Sequence, residues 1–510
     1  MSDDRTAEVR PQGQAAGGRS ARVAVLVVVA LLAVGVGAWL LAAAFGDDGE
    51  QVTAGATADD GDADGTGAEP DADPPAADDA ASPAEESEAT EEATEPEPEP
   101  EPEPVAVTHR VDLATDPAGA AVTVTTADGE VLRGETPFRE EVTTGAAEVE
   151  VVADGFQTIT DTFEVDEDVR FTWELGPPGL LHRKVGAFEV GSQPKQVAYT
   201  PDGTQLWVTL LGARGVEVYD AESFERLAEI TLGTQGGAVE LIFGSDGDTA
   251  YASQMESASV FEIDTGSFEV LRQLPTGGTW SKVMALAPDG SSLYVANWVS
   301  NDVSEIDLAS GEVRRRLPTV STPRGLYATE DGERLYVAGY GNGDLARIDL
   351  ASGATEVLFS TGRAMRHLVG DGDRLYASDM GTNGVYVLDL ATEEVAELAA
   401  TDINPNTIDL SPDGQVLYVS NRGANNPETY YLPGPEWGSV LAFDTTTGTP
   451  LDAMIGGNQT TGLDVAPDGR SVAFSDFLDN RVQVYEIPSP AVLEAGDGGR
   501  YGAHRADLAK

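Results

Sequence analysis

One short unit recurs seven times between residues 181 and 488, and this repeat limits the possible folds more than any other feature of the sequence. Its marker is an Asp-Gly turn. The first six copies are 40 to 44 residues apart, and the last follows after 55. The seven turns begin at Asp202, Asp246, Asp289, Asp331, Asp371, Asp413 and Asp468. This period predicts four-stranded units that must stack, because one small sheet cannot bury both of its faces alone.

Two further features indicate that the stacked units close into a ring. In six units an aromatic residue lies five positions after the turn, at Trp207, Tyr251, Tyr294, Tyr336, Tyr376 and Tyr418. The last unit ends at 488 without a fourth strand, whereas a strand-like segment, 183–191, precedes the first unit. We therefore predict an all-β chain in which residues 181–488 form a seven-bladed β-propeller. The leading segment completes the seventh blade, so no sheet edge stays open.

The repeat resembles that of the YVTN-type propellers of bacterial and archaeal surface proteins. The resemblance is clearest in Pro288–Asn297 followed by Val303–Asp307, and it covers about 300 residues. It implies the propeller fold. It leaves the function open, because propellers occur in enzymes, binding proteins and scaffolds alike.

Residues 106–177 alternate apolar and polar positions in short runs between Gly, Pro and Asp turns, which predicts a small β-sandwich. This segment resembles the PEGA domain. Asp116–Ala120 matches the turn that names the family, with Ala118 in place of Glu. Gly134–Pro137, Gly145 and Gly155–Phe156 stand where the family has its G-x-TP, Gly and Gly-aromatic elements. The resemblance implies a spacer or adhesive module without catalytic residues.

The N-terminal part predicts a membrane anchor and a spacer. Val23–Phe45 is uncharged and would be ~34 Å long as a helix, enough to cross ~30 Å of hydrocarbon. The arginines before it place residues 1–22 in the cytoplasm and the later domains outside. A signal peptide cleaved at residues 42–44 is the alternative. Residues 46–105, acidic and rich in Pro, predict a disordered linker, and we expect residues 489–510 to form a disordered tail.

Composition excludes several classes of function. The formal net charge of −58 disfavours nucleic-acid binding, because the phosphate backbone would be repelled. The absence of cysteine excludes thiol catalysis, disulfides and Cys-ligated metals. The chain has four histidines and no closely spaced His pair, so we expect no metal and no cofactor.

Basic residues cluster at one predicted position, the start of the innermost strand of each blade. Seven residues before the Asp-Gly turn, or at the aligned position of the shorter fifth blade, the chain has Lys195, Val239, Lys282, Arg324, Arg366, Asn406 and Thr461. Four of these seven are basic, and the whole chain has only four lysines. We predict that this channel mouth binds an anion. The alternative is that the cations pair with carboxylates of nearby loops.

A 13-residue insertion between Tyr418 and Asp444 is predicted to lie on the same face. Its Tyr430, Tyr431 and Trp437 could form a lid or a partner surface, or could simply pack the loop. Further candidate ligand-binding residues on this face are His367, Arg422 and Gln459. We also expect Trp298 and six further polar residues on this face, most of them turn formers: Asn297, Asn404, Asn421, Asn458, Asp476 and Asp479.

Three functions are compatible with this sequence. The first is a single-pass membrane protein whose extracytoplasmic propeller binds an anionic envelope ligand or a surface protein. The second is a hydrolase or lyase resembling the lactonase-like propellers, for which His367, beside Arg366, is the one candidate catalytic residue. The third is a structural, adhesive component of a surface layer.

Overall fold

The computed structural model describes residues 107–234 and 236–510. The predicted cytoplasmic tail, membrane span and acidic linker lie outside these residues. In the part of the chain that is described, no helix is both long and apolar enough to cross a membrane.

Residues 108–174 form a β-sandwich, as the alternating pattern predicts. Its strands are β1 (Thr108–Asp116), β2 (Ala121–Thr125), β3 (Val131–Glu135), β4 (Phe138–Thr143), β5 (Gly145–Val152), β6 (Ile159–Val165) and β7 (Val169–Glu174). One sheet has the order β4-β1-β7 and the other β3-β2-β5-β6. The inward-facing residues of both sheets, among them Val111, Val124, Val151 and Trp173, form one buried cluster.

The first four blades each consist of four consecutive strands, with the first strand innermost. Blade 1 has β9 (Pro194–Tyr199), β10 (Gln205–Leu210), β11 (Gly215–Asp220) and β12 (Arg226–Thr231). Blade 2 has β13 (Ala238–Phe243), β14 (Thr249–Gln254), β15 (Ser259–Asp264) and β16 (Val270–Pro275). Blade 3 has β17 (Ser281–Leu286), β18 (Ser292–Asn297), β19 (Asp302–Asp307) and β20 (Val313–Pro318). Blade 4 has β21 (Pro323–Ala328), β22 (Arg334–Gly339), β23 (Asp344–Asp349) and β24 (Thr355–Ser360).

The last three blades complete the ring. Blade 5 has β25 (Met365–Gly370), β26 (Arg374–Asp379), β27 (Gly384–Asp389) and β28 (Val395–Ala400). Blade 6 has β29 (Pro405–Leu410), β30 (Val416–Asn421), β31 (Ser439–Asp444) and β32 (Pro450–Ile455). Blade 7 has β33 (Thr460–Val465), β34 (Ser471–Asp476) and β35 (Arg481–Glu486), and its outer strand is β8 (Arg183–Glu189). The antiparallel pairing of β8 with β35 confirms the predicted closure.

The repeating residues have clear structural roles. The Asp-Gly turn joins the first two strands of a blade: in blade 1 the Asp202 carboxylate accepts hydrogen bonds from the Thr204 amide (3.0 Å) and the Thr200 hydroxyl (2.6 Å). Gly203 follows with φ +73°, a conformation that favours glycine. The aromatic residues of the second strands are buried within the blade stack. The repeated sequence therefore specifies the turns and the packing between blades.

The C-terminal segment differs from the predicted disordered tail. It contains the helices α1 (Pro490–Ala495) and α2 (Arg505–Leu508), and it packs on blade 6. The Arg500 amide donates to Asp452 (2.8 Å), and the buried His504 ring bonds Asp402 (Nε2 to Oδ2, 2.9 Å). Carboxylates that are distant in the sequence therefore hold the tail in place. The local sequence of the tail, which is polar and rich in Gly, does not indicate these contacts.

The β-sandwich contacts the segment that leads from β7 into β8, the outer strand of the seventh blade. Gln157 donates to the His182 carbonyl (3.0 Å), and Arg183 pairs with Asp161 (2.9 Å) while it lies over the Trp173 ring. His182 is itself buried and bonds both Asp452 (2.8 Å) and the Tyr418 hydroxyl (3.1 Å). The junction between the two domains is therefore anchored by buried polar contacts.

Candidate functional site

All seven innermost strands contain a β-bulge near their second residue, at the predicted mouth position. The ladder skips residues there, as between Ala238 and Leu241 in blade 2 or Pro405 and Ile408 in blade 6. A bulge bends the strand and redirects the side chain of the unpaired residue. The side chain of each mouth residue therefore departs from the regular alternation of side chains between the two faces of the sheet.

Hydroxyl groups hold these bulges in place. In five blades the amide after the mouth residue donates to a Ser or Thr of the second strand; these hydroxyls belong to Thr209, Ser253, Ser378, Ser420 and Ser475. Three of them also donate to the mouth carbonyl of the next blade, as Ser378 does to Asn406 (2.7 Å). The mouth is thus fixed by bonds between blades. In the sequence, these Ser and Thr residues lie two positions after the repeated aromatic position. Their role was not predicted from the sequence.

The four basic mouth residues, Lys195, Lys282, Arg324 and Arg366, are buried, each with at most 3% of its surface exposed. Lys282 lies over the Trp298 ring, with Nζ 3.3 Å from the ring centroid. Arg324 approaches the same ring at 5.8 Å. Lys195 lies 5.4 Å from the Phe477 ring, on the other side of the ring closure. Aromatic faces thus stabilise cations that have lost most of their hydration.

One ion pair crosses between blades at this mouth. Arg324 of blade 4 donates to Glu240 of blade 2 (2.7 Å), although blade 3, which carries Lys282, lies between these two blades in the ring. Sequence reasoning missed Glu240, which directly follows the apolar mouth residue Val239. The alternative prediction, that mouth cations pair with carboxylates, therefore holds for Arg324, although the carboxylate belongs to an innermost strand rather than to a loop.

His367 lies beside these charged groups. Burial is the main cause that lowers the pKa of His367 to about 4; Glu240 opposes the shift, while Arg324 and Arg366 add to it. The ring is therefore neutral at pH 7, and its Nδ1 accepts the Ile408 amide (3.4 Å). A general base works best with a pKa near the working pH, so this environment disfavours His367 in that role. We refer to Glu240, Lys282, Arg324, Arg366, His367 and Asn406, with the Trp298 ring, as the mouth cluster.

Two buried donors of the mouth cluster have no acceptor among the described residues. Asn406 accepts a bond from Arg366 (Nε to Oδ1, 2.5 Å), which fixes its amide, yet its Nδ2 has no hydrogen-bond acceptor. The Trp298 Nε1 has none either. A buried donor left unsatisfied costs about 1–3 kcal/mol, so such groups are rare in native structures. Both donors suit a molecule that offers acceptor atoms at the mouth.

The insertion loop, residues 422–438, joins a second cluster at the ends of blades 6 and 7. Gln459 accepts a bond from Arg422 and donates to the Tyr430 carbonyl. The Arg422 guanidinium lies 5.5 Å from the Tyr430 ring, which contacts Tyr431 at 4.1 Å between centroids. The structure thus brings together four of the predicted binding residues. Trp437 instead contacts the C-terminal segment, where Lys510 Nζ lies 4.3 Å from the centroid of the Trp437 ring.

Of the other polar residues predicted for this face, Asn404, Asn458 and Asp479 lie in bends or turns. In contrast to the prediction, Asn297, Asn421 and Asp476 are the last residues of second strands. Buried Asn297 accepts the Ser281 hydroxyl and donates to Asp302 and Ser304, each at 2.8 Å. Asp476 accepts bonds from Arg481 and from the Gly457 amide (2.6 Å). Within the described ranges no group of three or more His, Asp or Glu side chains could hold a metal ion.

A carboxyl pair that the sequence did not reveal occupies the fifth residue of two neighbouring innermost strands. Asp409 of blade 6 accepts the Val465 amide (2.8 Å), and Asp464 of blade 7 accepts the Tyr199 amide of blade 1 (2.7 Å). The two carboxyl groups interact with each other. Burial raises the pKa of Asp409 to about 6, and burial together with the nearby Asp409 raises that of Asp464. The pair thus bridges the blades on both sides of the ring closure.

Comparison with known proteins gives consistent matches. The YNCE-like beta-propeller family matches residues 180–334, and the PEGA domain family matches residues 108–177. Antigen Lp49 of Leptospira interrogans is 34% identical over 352 residues, which span 66% of this chain and 77% of that protein. The solved structure of Kuenenia stuttgartiensis hydrazine synthase shares the fold alone, with 20% identity, a TM-score of 0.50, and coverage of 58% of this chain and 96% of the other. The chain therefore belongs to the family of YNCE-like β-propeller proteins, carries a PEGA domain ahead of its propeller, and is a relative of Antigen Lp49.

Proposed function

We propose that this protein is a membrane-anchored, extracytoplasmic binding protein whose mouth cluster takes an anionic ligand. A role in binding or as a scaffold outside the cytoplasm fits the relationship to a protein described as an antigen. We further propose that the ligand carries a carboxylate or phosphate group. This proposal rests on the chemistry of the mouth cluster.

The observation that carries the proposal is the buried Asn406 amide, whose Nδ2 lacks an acceptor in the described structure while Arg366 holds its other end. Around it the mouth cluster contains three cations and one carboxylate, Glu240. Hydrogen bonds to charged partners are about twice as strong as neutral ones, and a desolvated site strengthens them further. An anion with several oxygen atoms would satisfy the orphan donors and gain from the positive field.

Ligand-induced thermal stabilisation tests this proposal with panels of carboxylates, phosphates, sugars and cell-wall fragments. A ligand present at ~100 times its dissociation constant should raise the stability by ~2.7 kcal/mol. Asn406→Leu removes the orphan donor at similar volume and should abolish the response. Thr461→Val, at the equivalent position of blade 7, is the matched control and should preserve it.

Each variant is compared with its own unliganded midpoint, so that a change in intrinsic stability does not mimic a lost ligand. If Asn406→Leu responds to an anion as fully as the wild type, the ligand binds elsewhere. If no anion stabilises the wild type, the mouth cluster has a structural role.

The membrane anchor is proposed from Val23–Phe45 alone, which lies outside the described residues. Intact mass of the protein isolated from membranes tests it. A mass that includes residues 1–45 supports an uncleaved anchor, and a mass that begins after residues 42–44 supports a cleaved signal peptide.

A further inference from the structure

The Lys510 ammonium occupies a site on the insertion loop that is built from three different groups. It donates to the Gly434 carbonyl (3.0 Å) and to the Asn458 side-chain oxygen, and it lies 4.3 Å from the Trp437 ring centroid. An ammonium group has three donors and is attracted to an indole face. The two acceptors and the ring therefore satisfy the binding requirements of a lysine side chain.

The Asn458 side chain is oriented for this role by a carboxylate. Its Nδ2 donates to Asp479 (2.6 Å), and its backbone amide donates to the other oxygen of the same carboxylate (2.7 Å). Asp479 thus presents the amide oxygen to the ammonium and adds negative charge behind it. A neutral side chain of similar length would leave the Asn458 oxygen and the Gly434 carbonyl without this donor.

Backbone pairing places the lysine in this site. The Trp437 amide donates to the Leu508 carbonyl (2.8 Å), and the Lys510 amide donates to the Pro435 carbonyl (3.1 Å). Between them Glu436 and Ala509 form an antiparallel bridge. This is strand addition to a loop edge, in which main-chain bonds give affinity independent of sequence and a side-chain pocket gives specificity.

The occupant of this edge can leave without disturbing the rest of the tail. The tail is anchored upstream, where His504 bonds Asp402 and the Arg500 amide bonds Asp452. Ala509 and Lys510 are exposed, so an incoming chain can reach the same edge. The receiving side is held separately, because Glu436 accepts the Ala424 amide (3.2 Å) and Gly438 donates to the Gly457 carbonyl (2.7 Å).

We propose that this edge of the insertion loop, formed by residues 434–437 with Asn458, is a docking site for an extended, lysine-bearing segment of a partner protein, which residues 508–510 of the same chain occupy in its absence. The lysine gives selectivity through the Trp437 face and the Asn458 oxygen. The site is independent of the anion proposed for the mouth cluster.

A fluorescently labelled peptide with the sequence of residues 505–510, Arg-Ala-Asp-Leu-Ala-Lys, tests the proposal by anisotropy. A variant that ends at Asp507 has an open site and should bind the peptide at least tenfold more tightly than the full chain, in which the site is filled. Replacing the peptide lysine by norleucine should weaken binding at least tenfold, since the ammonium contacts are lost. Replacing its arginine, which corresponds to exposed Arg505, is the matched control and should change binding little.

Several results would overturn the proposal. Equal binding of the norleucine peptide would show that no ammonium is recognised. Absence of binding to the shortened variant, with its circular dichroism and thermal midpoint preserved, would show that the edge does not accept an external chain.

A second variant covers the case in which the shortened chain does not fold. Lys510→Met in the full-length chain weakens only the side-chain contacts and should still increase peptide binding over wild type. No increase would refute occupation of the site by the chain itself. Sedimentation showing a Lys510-dependent dimer would assign the site to a second copy and not to a partner.

Discussion

Replacing one member of the Asp409–Asp464 pair should stabilise the protein at neutral pH. The two carboxyl groups lie on neighbouring innermost strands, and each accepts an amide from the next blade. Since burial raises the pKa of Asp409 from 3.8 to about 6, the folded protein keeps a proton there that the unfolded chain releases. Ionising both groups in the fold therefore costs free energy.

The sign of the pH dependence follows from this difference. Between pH ~4 and pH ~6 the folded state binds more protons at this pair than the unfolded state, so stability falls as pH rises. A shift of about two units corresponds to at most ~3 kcal/mol, because one pKa unit equals about 1.4 kcal/mol. Asp409→Asn keeps an acceptor for the Val465 amide and removes one charge. We expect it to gain ~1–2 kcal/mol at pH 7 and almost nothing at pH 4.

Urea unfolding of wild type and variant between pH 4 and pH 8 measures this gain. High salt throughout reduces the contribution of the large net charge, which affects both proteins alike. Asp389→Asn serves as a control of opposite sign. The Thr392 amide and hydroxyl lower the pKa of Asp389, so its ionised form stabilises the fold above pH ~4. A gain for Asp409→Asn that is the same at pH 4 and pH 7, or a loss at pH 7, would refute the argument from the raised pKa values of the pair.

Two further predictions concern the bonds that hold the ring and the tail. Ser420→Ala removes the acceptor of the Thr407 amide and the donor to the Thr461 carbonyl, so it should lower the free energy of unfolding by about 1–3 kcal/mol in urea titrations; a change below 0.5 kcal/mol would show that the hydroxyl does not join the blades. Asp452→Asn replaces the buried carboxylate that binds His182 and the Arg500 amide by a neutral amide, which should weaken the attachment of the tail. Limited proteolysis should then cut residues 496–510 faster. Burial raises the pKa of Asp452, but His182 and the Arg500 amide together lower it by more, so the pKa of Asp452 lies below its usual value. In the wild type, protection of the tail against proteolysis should therefore be lost as pH falls below ~4. Protection of the tail that is unchanged in Asp452→Asn would contradict this role.

The sequence determined the architecture because each blade is specified locally. The Asp-Gly turn and the aromatic residue act within one unit, and seven repetitions of the same unit give the ring and its closing strand. The same period placed the basic residues at the mouth, since a residue's position within a repeat fixes its place in the blade.

Only the tertiary structure decided which groups meet across blades. Glu240 and Arg324 are 84 residues apart and belong to blades that are not neighbours. Asp409 and Asp464 come together because adjacent innermost strands align the same position of two repeats, and no feature within either repeat signals the pair. The tail follows the same rule, since His504 is ordered by Asp402, 102 residues earlier. Local patterns specify turns and strands, whereas the burial and pairing of charges depend on closure of the ring, which brings distant segments together and excludes water from between them.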